Sequence, residues 1–131
     1  MHDCNVLVVE DDPDTREALV ELLKTEGYPA VGASGGQDAL DLLARGEFEP
    51  DVIVLDLQMP SMDGKQFRAE LQANPRWAKV PVILCSGTTP LAGAGHDIFD
   101  QLEKPFDVDS LLAVVQRGCA LKRPPDQALS A

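Results

Sequence analysis

The sequence predicts an α/β fold, a doubly wound parallel sheet of five strands with helices on both faces. Segments 5–10 and 51–56 are short runs of Val, Leu and Ile that end in acidic residues, a pattern typical of strands buried on both faces. Strand-like and helix-like segments also alternate along most of the 131 residues. Because parallel neighbours need a crossover connection, this alternation favours one domain built on a parallel sheet.

The first two helices are predicted from capping residues and apolar spacing. Asp12 offers an N-cap, Pro13 suits the first helical turn, and apolar residues then recur at helical spacing up to Gly27. A weak strand over 29–33 precedes a second helix over 37–45. The chain thus begins with two strand-helix units.

The second half of the chain continues the alternation with less regular spacing. A turn-rich segment after Asp56 leads to a helix that contains Phe67 and Leu71, and strands are predicted over 80–85 and 99–102. The last helix is predicted from its apolar stripe, which consists of Val108, Leu111, Leu112, Val115 and Cys119. Segment 86–96 is rich in Gly and Pro, so the fourth helix is expected to be shortened or replaced by a loop.

Composition and charge exclude several function classes. Eleven basic and twenty-two acidic residues give a net charge of −11, which opposes direct binding to nucleic acid or anionic lipid. No segment approaches the roughly 20 apolar residues of a membrane span, and the N-terminus lacks a signal-peptide pattern. Three cysteines outside any metal-ligand spacing fit a reducing cytoplasm, and Cys85 is interpreted as a small buried hydrophobe.

Polar residues with complementary chemistry follow four of the predicted strands. They are Glu10, Asp11 and Asp12 after the first strand, Asp56 at the third, Ser86 after the fourth and Lys104 after the fifth. Ligands of doubly wound sheets bind at this carboxyl edge. Clustered carboxylates repel unless a cation such as Mg²⁺ neutralises them. One carboxylate can then attack phosphorus, while an ammonium and a hydroxyl hold the phosphoryl oxygens.

Each of these residues also has a simpler interpretation. Acidic residues at strand ends are often solvated loop residues, and Asp12 fits a helix cap better than a metal ligand. Ser86 alone would be an ordinary turn residue, and Lys104 alone an ordinary surface charge. The arrangement on four strand ends of one predicted sheet is what favours a functional site.

The same segments resemble the receiver domains of two-component response regulators, over about residues 5–119. The sequences that carry the resemblance are VLVVEDD at 6–12, DLQMPSMDG at 56–64, VILCSG at 82–87 and KPF at 104–106. The resemblance implies a flavodoxin-like fold with strand order 2-1-3-4-5. It also implies a receiver domain over 1–121, followed by a disordered tail over 122–131.

The resemblance assigns the phosphoacceptor and the metal ligands. Asp56 would accept a phosphoryl group from a histidine kinase or a histidine phosphotransfer protein. Asp56, Asp11 and the backbone carbonyl of Gln58 would bind Mg²⁺ directly, whereas Glu10 would bind it through a water molecule. The protein would thus be a phosphoacceptor signalling switch of a two-component system or phosphorelay.

The resemblance also assigns the switch residues, and here the chain departs from the family. Ser86 is the expected switch hydroxyl, and Lys104 is the cation expected to pair with Asp56 or its phosphate. Receivers usually carry Tyr or Phe three residues before this lysine, where this chain has Gln101. Output is therefore expected through contacts of an atypical surface with a downstream protein target, and dimerisation is left open. Such a domain is a phosphoacceptor that assists its own phosphorylation and dephosphorylation, and is not classed as an enzyme.

Two other functions stay open at this point. A phosphohydrolase of the haloacid-dehalogenase-like family also forms an aspartyl phosphate, but it needs an acid two residues after the nucleophile, where this chain has Gln58. An interaction module that binds its partner without phosphorylation is motivated by Gln101 and the Gly-rich segment. Turnover on phosphate esters would favour the first, and failure to accept a phosphoryl group would favour the second.

Overall fold

The computed structural model describes residues 4–46, 48–56, 64–86, 98–103 and 107–121. Within these ranges the side chains of 56, 64, 65, 86, 98–103 and 121 are not described. The elements are β1 (Val6–Val9), α1 (Pro13–Thr25), β2 (Ala30–Ala33), α2 (Gly36–Arg45), β3 (Val52–Asp56), α3 (Gly64–Gln72), β4 (Val82–Ser86), β5 (Ile98–Glu103) and α4 (Val108–Leu121).

The strands form one parallel sheet in the order β2-β1-β3-β4-β5, which is the order that the resemblance implies. From β1 the chain first moves outward to β2 and then crosses back to β3 on the other side. The strand order therefore reverses between β1 and β3, and the carboxyl edge at such a point is where doubly wound sheets bind ligands.

Both faces of the sheet are buried, as the apolar runs predict. Alternate residues of the strands contribute to two separate core layers because successive side chains point to opposite faces. One layer contains Val6, Val8, Val54, Ile83 and Cys85 with apolar residues of α1 and α4. The other contains Leu7, Val9, Leu55 and Leu84 with apolar residues of α2 and α3. The helices therefore cover the sheet in two pairs.

The predicted start of the first helix is confirmed. The Asp12 side chain accepts a hydrogen bond from the Thr15 backbone N–H at 3.0 Å, and Pro13 occupies the first helical position. The second helix ends at Gly46, whose φ of 71° lies in the left-handed region that favours glycine. Cys85 is buried with 3% exposure, as its interpretation requires.

Some predicted boundaries are wrong by one to three residues. The fourth strand begins at Val82 rather than at residue 80, and it includes Ser86, which the sequence analysis placed after the strand. Strand ends depend on pairing with neighbours, and β4 pairs with β5 as far as Ser86 and Glu103. The predicted fourth helix and the tail over 122–131 lie outside the described residues.

A disulfide joins Cys4, just before β1, to Cys119 near the end of α4, with Cα atoms 5.7 Å apart. This bond was not predicted, since the odd number of cysteines and their spacing favoured a reducing compartment. Disulfides persist mainly in oxidising environments, so the pairing runs against that expectation. Among the described helices, none is long and apolar enough to cross a membrane.

Candidate functional site

The strand register brings the predicted site residues to one edge of the sheet. Val9 pairs with Leu55, so the next residues, Glu10 and Asp56, lie level on adjacent strands. Asp56 in turn pairs with Cys85, which places Ser86 one residue further along β4. The backbone thus gathers three of the four predicted strand ends at the carboxyl edge of the sheet, where the strand order reverses.

The three consecutive acids after β1 occupy different environments. Glu10 is buried with 4% exposure, and its Oε2 accepts a hydrogen bond from the Asp12 N–H at 3.2 Å. The Asp12 carboxylate caps α1 through the N–H and hydroxyl of Thr15. Asp11 between them is half-buried, and no described donor hydrogen bonds to its carboxylate. This arrangement confirms Asp12 as a cap and leaves Asp11 as the better candidate ligand.

The backbone of this acidic turn is held at both ends. The Glu10 N–H donates to the Ala33 carbonyl of β2 at 3.0 Å, and the Arg16 N–H donates to the Asp12 carbonyl at 2.9 Å. The Arg16 side chain also returns to the turn, since its Nη1 donates to the Glu10 carbonyl at 2.9 Å. Asp11 therefore sits in a turn whose position is fixed by β2 and α1 together.

Arg16 is not among the predicted site residues, because nothing in its neighbouring sequence distinguishes it from other charges on a helix surface. Gly32 is the sequence feature that could have indicated a close contact of this kind. An isolated glycine inside a strand often marks the close approach of another group, and at Gly32 that group is the Arg16 side chain.

The remaining site predictions are only partly within the described structure. Gln58 and Lys104 lie outside the described residues. Asp56, Ser86 and Gln101 have described backbones in β3, β4 and β5 but no described side chains. Their predicted roles therefore stay predictions.

The donor set at this edge fits a hard divalent cation. Within the described part of the chain, no three His, Cys, Asp or Glu side chains form a metal-binding group. The two carboxylates at the end of β1, Glu10 and Asp11, are nevertheless oxygen ligands of the type that Mg²⁺ prefers. Mg²⁺ usually takes one or two carboxylates and completes its shell with water and phosphate oxygens, so this edge of the sheet offers enough carboxylates for such an ion.

A doubly wound parallel sheet with carboxylates at its switch point defines a class of small α/β domains that bind ligands at the carboxyl edge. Residues 6–116 match the family model of the response regulator receiver domain. The chain belongs to this family, whose members are signalling phosphoacceptors of two-component systems.

Individual relatives agree with this membership. The chain is 36% identical to protein Rrf1 of Nitratidesulfovibrio vulgaris over 88% of this chain and 82% of the relative. It is 32% identical to the regulatory protein AtoC of Escherichia coli over 89% of this chain, but spans only 25% of that protein. The same domain therefore occurs in curated relatives of very different length.

A solved structure is similar in fold and in sequence. It is the receiver domain of the sensor histidine kinase PA1611 from Pseudomonas aeruginosa, which contains a magnesium ion in its active-site cleft. Its TM-score to this chain is 0.78 with 25% identity, covering 91% of this chain and 99% of the other.

Proposed function

We propose that Asp56 accepts a phosphoryl group in the presence of Mg²⁺ and that the protein transmits this change to a downstream protein. The supporting observation is the register that sets Asp56 level with Glu10 and next to the turn that carries Asp11. The phosphoryl donor is a histidine kinase or a histidine phosphotransfer protein. Residues 1–121 form the receiver domain in this proposal, and 122–131 form a tail.

The residues of the proposed site have different chemical roles. Asp11 and Asp56, with the carbonyl of Gln58, bind Mg²⁺, which neutralises the carboxylates and the developing charge on the phosphoryl oxygens. The Asp56 carboxylate is the nucleophile. Glu10, whose Oε2 accepts a hydrogen bond from the Asp12 N–H, binds Mg²⁺ through a water molecule in this proposal. Ser86 and Lys104 hold phosphoryl oxygens by a hydroxyl and an ammonium group.

The output step differs from that of a receiver with an aromatic switch residue. Gln101 occupies the aromatic position in β5, and its backbone pairs with Leu84 of β4. An amide in place of a ring cannot fill an apolar pocket in the same way, so the response to phosphorylation passes through other contacts. We place the protein in the cytoplasm with its phosphoryl donor.

The proposal is tested by incubating the protein with acetyl phosphate and Mg²⁺ and measuring its intact mass. One added phosphoryl group is expected for the wild type, and none for Asp56→Asn or without Mg²⁺. The matched control is Asp51→Asn, which removes a carboxylate at the opposite end of β3 and should leave the adduct in place.

Other outcomes of this experiment would favour other functions. No adduct on folded protein would overturn the proposal and favour an interaction module that works without phosphorylation. Continuous turnover of phosphate esters would favour a phosphohydrolase, although family membership and Gln58 both argue against it.

A further inference from the structure

The Arg16 side chain packs directly over Gly32, where β2 has no side chain in the way. A Cβ atom added to Gly32 would lie 2.8 Å from Arg16 Cγ, 3.0 Å from Arg16 Cδ and 3.3 Å from Val20 Cγ2. Real Cβ atoms essentially never approach a neighbour within 3.0 Å. The methylene chain of Arg16 therefore crosses β2 at the one residue of that strand that has no side chain.

The guanidinium group of Arg16 forms a hydrogen bond with the backbone at the end of β1. Arg16 Nη1 donates to the Glu10 carbonyl at 2.9 Å, while the Glu10 N–H donates to Ala33 of β2. In a parallel pair the next bond would come from a residue further along β2, but β2 ends at Ala33. Arg16 thus supplies the last hydrogen bond of the strand end from a side chain.

This bond lies immediately before Asp11. On the other side of Asp11, the backbone of Asp12 is fixed by its N–H to the Glu10 carboxylate and by its carbonyl to the Arg16 N–H. Metal affinity depends strongly on the groups that orient the ligands, and loss of such a group typically costs roughly 10- to 100-fold. The guanidinium also brings a fixed positive charge to a turn that contains three acidic residues.

We propose that Arg16, whose side chain packs over Gly32, is a positioning residue. It fixes the turn that carries Asp11, so that the Asp11 carboxylate is preorganised to bind Mg²⁺. The inference rests on the proposed function, because it assigns Asp11 to the metal. Arg16 acts through the Glu10 backbone and does not itself contact the metal or the phosphoryl group.

The test compares Arg16→Met, which keeps an unbranched apolar chain over Gly32 but loses the donor, with Arg16→Lys, which keeps a cationic donor. Both fit without overpacking, because the Arg16 side chain borders an open cleft of about 460 Å³ between α1 and β2. Lys24→Met is the matched control, since it removes one exposed positive charge from the last turn of the same helix.

The first readout is the Mg²⁺ dissociation constant by calorimetry. Arg16→Met should weaken Mg²⁺ binding about ten-fold, Arg16→Lys should recover much of that loss, and Lys24→Met should stay within about two-fold of the wild type. Equal affinities for wild type and Arg16→Met would overturn the inference.

The second readout is amide hydrogen exchange in the metal-free protein. Arg16→Met should accelerate exchange at the Asp11 and Asp12 amides and leave the amides of β3 unchanged, since the turn opens locally. Unchanged exchange at these two amides would also overturn the inference. If the wild type bound no Mg²⁺ at all, the proposed function would fail, and the exchange data would still decide whether Arg16 fixes the turn.

Substitution of Gly32 tests the same inference independently. Gly32→Ala should weaken Mg²⁺ binding in the wild-type background because its methyl group displaces the Arg16 chain. In an Arg16→Ala background the same change should have a much smaller effect, since the two closest contacts are gone and only the 3.3 Å contact with Val20 Cγ2 remains. Additive losses of Mg²⁺ affinity would show that Gly32 matters for another reason, and would contradict the proposed role of the contact between Arg16 and Gly32.

Discussion

Cys4 and Cys119 are joined by a disulfide although 115 residues separate them in the sequence. Cys4 is buried just before β1, and Cys119 packs against the same core layer from α4. The bond therefore closes almost the entire domain into one covalent loop and ties α4 to the segment that leads into β1.

Reduction of this bond should destabilise the domain. In the chain-entropy model, a loop of this length contributes about 5 kcal/mol by restricting the unfolded chain. Urea unfolding with and without dithiothreitol measures the difference in the free energy of unfolding. Cys119→Ser should already have the lower stability and should not respond to the reductant. An identical unfolding midpoint for oxidised and reduced wild type would contradict the prediction.

Asp11 and Asp12 are adjacent acids with different expected roles. Asp12→Ala should lower the free energy of unfolding by about 1 kcal/mol, since α1 loses its cap, but should change Mg²⁺ affinity much less than loss of a ligand. Asp11→Asn should abolish most Mg²⁺ binding with little effect on stability. Calorimetry with Mg²⁺ and urea unfolding on both variants check this, and a reversal of the two effects would refute the assignment.

Phe67 is fully buried in α3 against the face of the sheet that α2 and α3 share. Phe67→Ala should cost about 3 to 5 kcal/mol, because it removes a large apolar side chain and leaves a cavity. Val108→Ala is the control, because Val108 is 47% exposed at the start of α4, and it should change stability by less than about 0.5 kcal/mol. Urea unfolding of both variants measures the contrast, which equal losses would contradict.

Asp107 introduces a pH dependence into α4. Hydrogen bonds from Ser110, including its backbone N–H at 2.7 Å, lower the pKa of the Asp107 carboxyl from 3.8. Because the pKa is depressed in the folded state, this stabilisation is present above pH 3.8 and is lost as the pH falls through the folded-state value. Asp107→Asn should therefore lose less stability than the wild type over that acidic interval. A carboxyl titration by NMR at or above 3.8 would disprove the assignment.

Local signals were sufficient for much of this fold. Asp12 and Pro13 marked the start of α1, and the apolar runs marked β1 and β3, because capping and burial on both faces depend on neighbouring residues. The position of Asp12 directly before Pro13 also identified it as the cap, and its hydrogen bond from the Thr15 N–H confirms this. The disulfide between Cys4 and Cys119 forms only when distant segments meet, so no local pattern reveals it. The isolated Gly32 in β2 indicates that some group approaches closely, but not that this group is Arg16.

The central claim is that Asp56 carries an acyl phosphate, and trapping that bond tests it most directly. Borohydride reduces an acyl phosphate to an alcohol with release of phosphate, and so converts a phosphorylated aspartate to homoserine. After treatment with acetyl phosphate and Mg²⁺, peptide mapping should find homoserine at position 56 and aspartate at positions 11 and 12. Homoserine at another aspartate, or a phosphoryl group on His2 or His96 with Asp56 unmodified, would contradict the account.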